Sequence, residues 1–360
     1  MPESAQCVYH IVKAIISGKN ALTQTYAGKK VLVTGGTGSI GRELATHLLA
    51  AGVEVVRVLS NDENGLFDMQ ERLNDHRVRY LLGDVRDNER MRFACQDIDF
   101  VFHAAALKHV PIGEYNPFEV VMTNVVGTKT LIDACLTQDV KRFTLISTDK
   151  AVNPINTLGA SKLLCEKLVT DAEAYKGHHP TKFCSVRFGN VLQTRGSVTE
   201  TFRRQISRGG PVILTDEEMT RFALDRGTAV ARVLKAVEST EGGEIFVIKM
   251  KSLRIRDLAE AMIEEVTTMQ ERPVSSIQIQ VGGIRPGEKI HEELMTEEET
   301  ANCHETGEFY IVTPRIISSQ VTKNKVTPGP YTSRDGPFMN KEEIRNLLNA
   351  SKGDYSSHWN

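Results

Sequence analysis

Paired cysteines are missing from this chain of 360 residues: Cys7, Cys95, Cys135, Cys165, Cys184 and Cys303 lie far apart, and no C-x-x-C occurs. That spacing argues against a disulfide framework and against a zinc site, and His178-His179 sits in a Gly/Pro-flanked loop without ligand spacing. The cysteines follow apolar patterns, as in Thr181-Lys-Phe-Cys-Ser-Val. They are expected as small buried residues of a protein in the reducing cytoplasm. An excess of one charge is missing too: 44 Lys+Arg face 46 Asp+Glu, a net charge of −2 mixed along the chain. With no basic stripe, nucleic acid is not an expected partner. No apolar run approaches the ~20 residues that span a bilayer, so membrane insertion is not expected. The patch Val8 to Ile16 is short and has no cleavage signal; it reads as an amphipathic helix from Tyr9 to Ala14 and onward, packed on the core or on a partner.

What the chain does contain is a rhythm. From Lys30, short runs rich in Val, Ile, Leu and Phe alternate with helical stretches. Strands are expected at Lys30–Thr34, Val53–Leu59, Val78–Leu82, Phe100–Ala104, Phe143–Ser147 and Phe183–Phe188, with a first helix over Arg42–Ala51. Such strands predict an α/β, Rossmann-like doubly wound parallel sheet covered on both faces, with right-handed crossovers. After Asn190 the spacing predicts helices over Arg195–Gly210, Thr228–Glu238 and Ile255–Met269, and strands over Val212–Leu214 and Glu244–Ile248. This part is expected as a smaller C-terminal substrate-binding lobe over the carboxyl edge of the sheet, where ligands bind in such folds. The expected domains are an N-terminal extension (1–27), a dinucleotide-binding domain (28–191, with a return segment at about 224–250), a lobe from 192–223 and 251–315, and a tail (316–360) with one helix, Lys341–Leu348.

The run Thr34-GGTGSI-Gly41 follows a strand and opens a helix. Its glycines permit a tight turn and close approach, and the helix start offers N–H groups to a pyrophosphate. Gly35, Thr37, Gly38, Ser39, Ile40 and Gly41 are therefore cofactor candidates. Asp84 and Val85 end the third strand and could meet the adenine; Ala104, Ala105 and Ala106 end the fourth and would let backbone lie along the cofactor. Strand two ends Leu59-Ser60-Asn61, with the acids Asp62 and Glu63 slightly late and no arginine adjoining. Ser60 and Asn61 can bond a 2′-phosphate without repelling it, which favours NADP, with NAD possible.

Further motifs carry a resemblance: AAALKHVP (Ala104 to Pro111), N-x-x-G-T (Asn124 to Thr128), STDKAVNPIN (Ser147 to Asn156), RFGNV (Arg187 to Val191), TDEEMTRF (Thr215 to Phe222) and GIRPGEK (Gly283 to Lys289). From about Gly28 to about Pro314 the chain resembles the extended short-chain dehydrogenase/reductases, and within them the inverting UDP-N-acetylglucosamine 4,6-dehydratases of bacterial surface-sugar synthesis. The resemblance implies NADP-dependent oxidation at sugar carbon 4, loss of water across carbons 5 and 6, hydride return to carbon 6, and inversion at carbon 5. It also implies a homo-oligomer.

By the same resemblance, Asp149 is the acid for the departing hydroxyl and Lys150 the base at carbon 5; retaining relatives carry an Asp-Glu pair there. Each role needs the protonation state opposite to that of a simple ion pair. Thr148 would bond the carbon-4 hydroxyl, Lys162 the nicotinamide ribose, and Asn124 joins the cofactor site. Asn190 would meet a phosphate oxygen, and Arg195 and Val198 the uracil. Arg221 and Arg285 suit the diphosphate, and Glu288 the ribose. Lys108 and His109 border the sugar, His109 equally well as a structural histidine. The chain departs from the usual Y-x-x-x-K at Leu158, four residues before Lys162; some relatives carry methionine there. Asp149, Thr148 or a water must then take the hydroxyl proton. A partial dehydratase releasing a 5,6-unsaturated sugar, an epimerase, or a non-catalytic dinucleotide-binding protein are the alternatives.

Overall fold

The computed structural model describes residues 24–194, 196–313 and 329–350; the Tyr9–Ala14 helix expected from the sequence lies outside them. In chain order the strands are β1 (Lys30–Thr34), β2 (Val55–Ser60), β3 (Val78–Leu82), β4 (Phe100–His103), β5 (Arg142–Ile146), β6 (Lys182–Arg187), β7 (Asn190–Val191) and β8 (Val212–Leu214). They continue as β9 (Thr220–Leu224), β10 (Ile245–Ile248), β11 (Lys251–Arg254), β12 (Ile279–Val281), β13 (Glu293–Met295), β14 (Cys303–Glu305), β15 (Phe309–Val312) and β16 (Tyr331–Thr332).

A nine-stranded sheet runs β14-β15-β10-β6-β5-β4-β1-β2-β3. Because β1 pairs in parallel with both β2 and β4, the chain leaves in opposite directions from this point, and a crevice opens at the carboxyl ends of the strands. The cause is legible in β1 itself. Val31 and Val33 point into a core layer that holds Leu44, Leu48, Val230 and Val233 from the helices Ser39–Ala50 and Arg226–Ser239. Leu32 points the other way, into a layer with Met91, Leu131 and Val169 from the helices Asn88–Cys95, Gly127–Thr137 and Thr157–Tyr175. A strand apolar on both faces demands helices on both faces.

The sheet is parallel except at one edge, where β15 runs antiparallel to β10 and β14 antiparallel to β15, an edge the alternating rhythm did not reveal. Other differences have local reasons. Val53 still closes the preceding helix, donating its N–H to the Leu48 carbonyl, so β2 starts later than expected. The helix expected from Arg195 begins at Val198, after Gly196 at φ +74°. A third core gathers Phe202, Ile206, Leu214, Leu253, Leu258 and Met262. The tail helix Lys341–Ala350 adds buried Ile344 and Leu348 to that core, and β16 pairs antiparallel with β13.

Candidate active site

The glycine turn at the end of β1 is built for close approach. Gly35 has φ +64°, and a Cβ there would stand 2.6 Å from the Ala105 nitrogen; a Cβ on Gly41 would stand 2.4 Å from the Gly35 carbonyl oxygen. Both contacts are forbidden to any side chain, so Ala104–Ala106 lie against the turn only because it is glycine. Gly38 caps the helix Ser39–Ala50 without a side-chain bond, at the turn that carries Ser39, Ile40 and Gly41. These features fit a dinucleotide pyrophosphate.

At the end of β2, Ser60 Oγ lies 2.8 Å from Thr37 Oγ1 and accepts from the Asp62 N–H, while Asp62 caps the helix Glu63–Leu73 through Gly65. Asn61 lies between these two residues. An arginine does reach this corner, contrary to the sequence reading: Arg42 donates Nε to the Thr37 carbonyl at 2.8 Å and an amino group to the Gly65 carbonyl. It follows Gly41 directly and was the one available signal. Asp84 accepts two bonds from the Arg86 guanidinium and one from the Arg86 N–H, which hold its carboxyl below the usual range. Val85 is buried and packs on the start of the helix at Gly127.

Asn124 lies in a π-helical turn, Val121–Val126. Its carbonyl accepts from the Leu107 N–H at 2.8 Å, and its amide donates to the Leu107 carbonyl and to Ser161 Oγ. It therefore fixes the loop behind Ala104–Ala106 to the helix Thr157–Tyr175. His103 is fully buried between Thr34 and Thr128; burial, aided by Lys162, holds its pKa at about 3. It is a neutral hydrogen-bonding bridge inside the sheet.

Strand β5 leads to the expected acid–base pair. Beyond it, Thr148 caps a short 3₁₀ turn, Asp149–Ala151. Asp149 is 0 % exposed. Its Oδ1 accepts from Thr148 Oγ1 at 2.8 Å and from Lys150 Nζ at 2.9 Å. Its Oδ2 has no hydrogen-bond partner among the described residues. A buried acceptor left unpaired costs about 1–3 kcal/mol, which marks it as a group awaiting one. Lys162 is buried as well and donates Nζ to the Ile146 carbonyl at 2.8 Å, and burial lowers its pKa. Leu158, one turn earlier, is 5 % exposed and offers no hydroxyl.

A residue missed in the sequence completes this cluster. Glu292, 3 % exposed, places Oε1 3.7 Å from Lys150 Nζ and 3.6 Å from Arg221 Nε. Burial raises the Glu292 pKa, against the pull of Lys150. Burial alone would lower that of Lys150, but Asp149 and Glu292 outweigh it and the net shift is upward. The signal available was the acidic pair Glu292-Glu293, three residues beyond GIRPGEK.

The expected substrate residues are placed unevenly. Arg221 donates to the carbonyls of Thr220, Lys289 and Ile290 at 2.7, 2.8 and 2.9 Å, so its fork anchors the chain before Glu292 rather than opening onto solvent. Arg285 is exposed on the loop, and Glu288 accepts from Thr215 Oγ1 at 3.2 Å. The loop is tied down over the reactive turn: Lys289 donates to the Val152 carbonyl, and Asn156 to that of Gly287. Asn190 Oδ1 is buried without a partner among the described residues. Lys108 is exposed, and the His109 ring packs over Gly196, two residues before Val198. Arg195 lies outside the described residues. Also unforeseen was Arg187, fully buried, which grips Glu166 at 2.6 and 2.8 Å and Glu299 at 2.8 and 2.9 Å.

Among the described residues, the five cysteines are free and buried, and no helix is long and apolar enough to cross a membrane. Residues 31–314 match the family model described as polysaccharide biosynthesis protein. The chain is 47% identical to an uncharacterized membrane protein of Methanocaldococcus jannaschii, over 91% of this chain and 97% of that one. It is 37% identical to the UDP-N-acetylglucosamine 4,6-dehydratase (inverting) of Campylobacter jejuni, over 91% and 99%. It is also 34% identical to the UDP-glucose 4-epimerase of Rickettsia rickettsii, over 90% and 96%. The crystal structure of Pen from Bacillus thuringiensis superposes with a TM-score of 0.85 at 40% identity, covering 91% of this chain and 99% of that one.

Proposed function

The chain belongs to the polysaccharide biosynthesis protein family of extended short-chain dehydrogenase/reductases, and we propose that it is an NADP-dependent, inverting UDP-N-acetylglucosamine 4,6-dehydratase. The observation that carries this reading is the ion pair between buried Asp149 and half-buried Lys150, with Asp149 Oδ2 left without a partner among the described residues. The likeness to an inverting dehydratase over nearly the whole chain supports it. An epimerase needs no acid for a departing carbon-6 hydroxyl, and the usual tyrosine is absent at Leu158.

A nicotinamide held at the glycine turn supplies the hydride acceptor for carbon 4 and the donor for carbon 6. Lys162 orients its ribose. Thr148 receives the carbon-4 hydroxyl and, through its 2.8 Å bond to Oδ1, passes the proton to Asp149. This relay replaces the tyrosine. It also resolves the protonation problem, because Asp149 starts as a carboxylate and becomes the acid during the first step. Lys150, as the amine, removes the carbon-5 proton; Asp149 then protonates the departing carbon-6 hydroxyl and returns to carboxylate. Carbon 5 takes its new proton from solvent on the opposite face. Asn190, with its unpaired Oδ1, and exposed Arg285 border the nucleotide, with Lys108 and Val198 toward the sugar and base.

Arg42 beside Ser60 supports NADP: a guanidinium at this corner can pair with a 2′-phosphate, whereas Asp62 is committed to its helix cap. Mass spectrometry of UDP-N-acetylglucosamine incubated with the protein, without added cofactor, tests the assignment. A product lighter by one water is expected. Conversion to an epimer of unchanged mass would refute it.

A further inference from the structure

Asp149 and Lys150 alone leave one difficulty in the reaction. Lys150 must be a neutral amine to remove the carbon-5 proton, yet it rests against a carboxylate that favours its ammonium form. Its second neighbour is Glu292, whose Oε1 is 3.7 Å away and whose Oε2 is buried with no partner among the described residues.

Resting on the dehydratase reading, we propose that Glu292 takes the proton from Lys150, so that the amine is unloaded before it attacks carbon 5. Glu292 is a positioning residue that acts through Lys150, not a group that touches the sugar.

The geometry supports this role in three ways. Glu292 is held from behind, not by its carboxylate: its N–H donates to Ser333 Oγ at 2.9 Å and its carbonyl accepts from the Ser333 N–H at 2.8 Å. Ser333 is itself fully buried and bonds Thr220. The tail segment thus fixes the backbone and leaves the carboxylate to Lys150 and Arg221. Arg221 has spent its fork on three backbone carbonyls, and neither its Nε, 3.6 Å from Oε1, nor Lys150 Nζ, at 3.7 Å, hydrogen-bonds the carboxylate while Asp149 holds Lys150; Lys150 Nζ closes the remaining distance to Glu292 once Asp149 is neutral. The charged groups facing Glu292 are Lys150, Asp149, Arg221 and Lys289, and burial raises its proton affinity against the pull of the three cations.

The proton count closes. The site begins with Asp149 and Glu292 as carboxylates and Lys150 as ammonium. Asp149 gains the carbon-4 hydroxyl proton by way of Thr148, and its negative charge beside Lys150 disappears. The Lys150 proton passes to Glu292, leaving an amine and a carboxylic acid. The amine takes the carbon-5 proton, Asp149 gives its own to the leaving hydroxyl, and water departs. Glu292 then releases its proton to solvent as carbon 5 takes one from solvent.

The test follows two partial reactions in the wild type, Glu292→Gln and Glu292→Asp across pH. One is the appearance of reduced nicotinamide on mixing with UDP-N-acetylglucosamine; the other is deuterium uptake at carbon 5. Glu292→Gln is expected to form reduced nicotinamide at the wild-type rate and to lose about 100-fold in deuterium uptake, regaining it at alkaline pH as Lys150 loses its proton to solvent. Glu292→Asp is expected to restore part of the uptake with a shifted pH profile. Uptake at the wild-type rate in Glu292→Gln, or equal loss of both signals, overturns the proposal. If Glu292→Gln does not fold, an unchanged pH profile in Glu292→Asp overturns it instead. A wild type that shows neither signal refutes the dehydratase reading itself, whereas a wild type that shows both and a variant that matches it refute only the role of Glu292.

Discussion

Leu158 and Lys162 lie one turn apart on the buried face of the helix Thr157–Tyr175, and only the lysine presents a polar atom, donating to the Ile146 carbonyl at 2.8 Å. In the proposed reaction, Thr148 and Asp149, which share a 2.8 Å hydrogen bond, take the part of the hydroxyl that a tyrosine would bring to this face.

It follows that Leu158→Met changes turnover only a few-fold, while Thr148→Val and Asp149→Asn each lower it by about 10² or more, the usual worth of a positioned proton-transfer group. Steady-state rates of the three variants at fixed cofactor occupancy check this. Comparable losses in Leu158→Met would place a role on Leu158 that its side chain has no chemistry to fill.

Arg187 joins the helix that carries Lys162 to the lobe that carries Glu292, through Glu166, Glu299 and the Leu294 carbonyl. Removing it strands Glu166, a carboxylate 1 % exposed. Arg187→Met is expected to cost about 3–5 kcal/mol, and Arg187→Met with Glu166→Gln clearly less, since a lone buried charge is worse than none. Urea unfolding of both variants measures the difference.

Arg42 is expected to discriminate between cofactors. Arg42→Ala should weaken NADP binding by about 10–100-fold, the worth of one charged hydrogen-bonding partner at about 1.5–3 kcal/mol, and leave NAD binding nearly unchanged. Calorimetric titration of protein freed of cofactor decides it. An equal loss for both would mean that Arg42 only shapes the turn through the Thr37 and Gly65 carbonyls.

The pH dependence of stability follows from His103, whose pKa is held at about 3 by burial and then Lys162. The unfolded imidazole titrates near 6.5, so below that pH the unfolded chain binds a proton that the folded chain refuses. Stability should therefore be flat in this respect above about 6.5 and fall as pH drops toward 3, by at most about 1.4 kcal/mol per unit. His103→Gln should flatten that slope in urea unfolding between these limits. An unchanged slope would assign the acid loss to other groups.

The sequence disclosed the fold because β1, β4, β5 and β6 are apolar on both faces, and the motif residues because each follows a strand end. It did not disclose the antiparallel edge, where β14 and β15 are three and four residues long, shorter than a periodicity can mark. Nor did it disclose partners distant in the chain. Arg221 looked like a phosphate fork, but its use by the Lys289 and Ile290 carbonyls depends on a loop 68 and 69 residues away. Glu292 and Lys150 are brought together only when the β13 segment folds over the 3₁₀ turn.

Proton NMR of the product formed from UDP-N-acetylglucosamine in deuterated water decides whether the protein is an inverting dehydratase. A 4-keto-6-deoxy sugar with deuterium at carbon 5 and inverted configuration there is expected. Vinyl signals from a 5,6-unsaturated sugar, or a product that retains its carbon-5 proton, would contradict it.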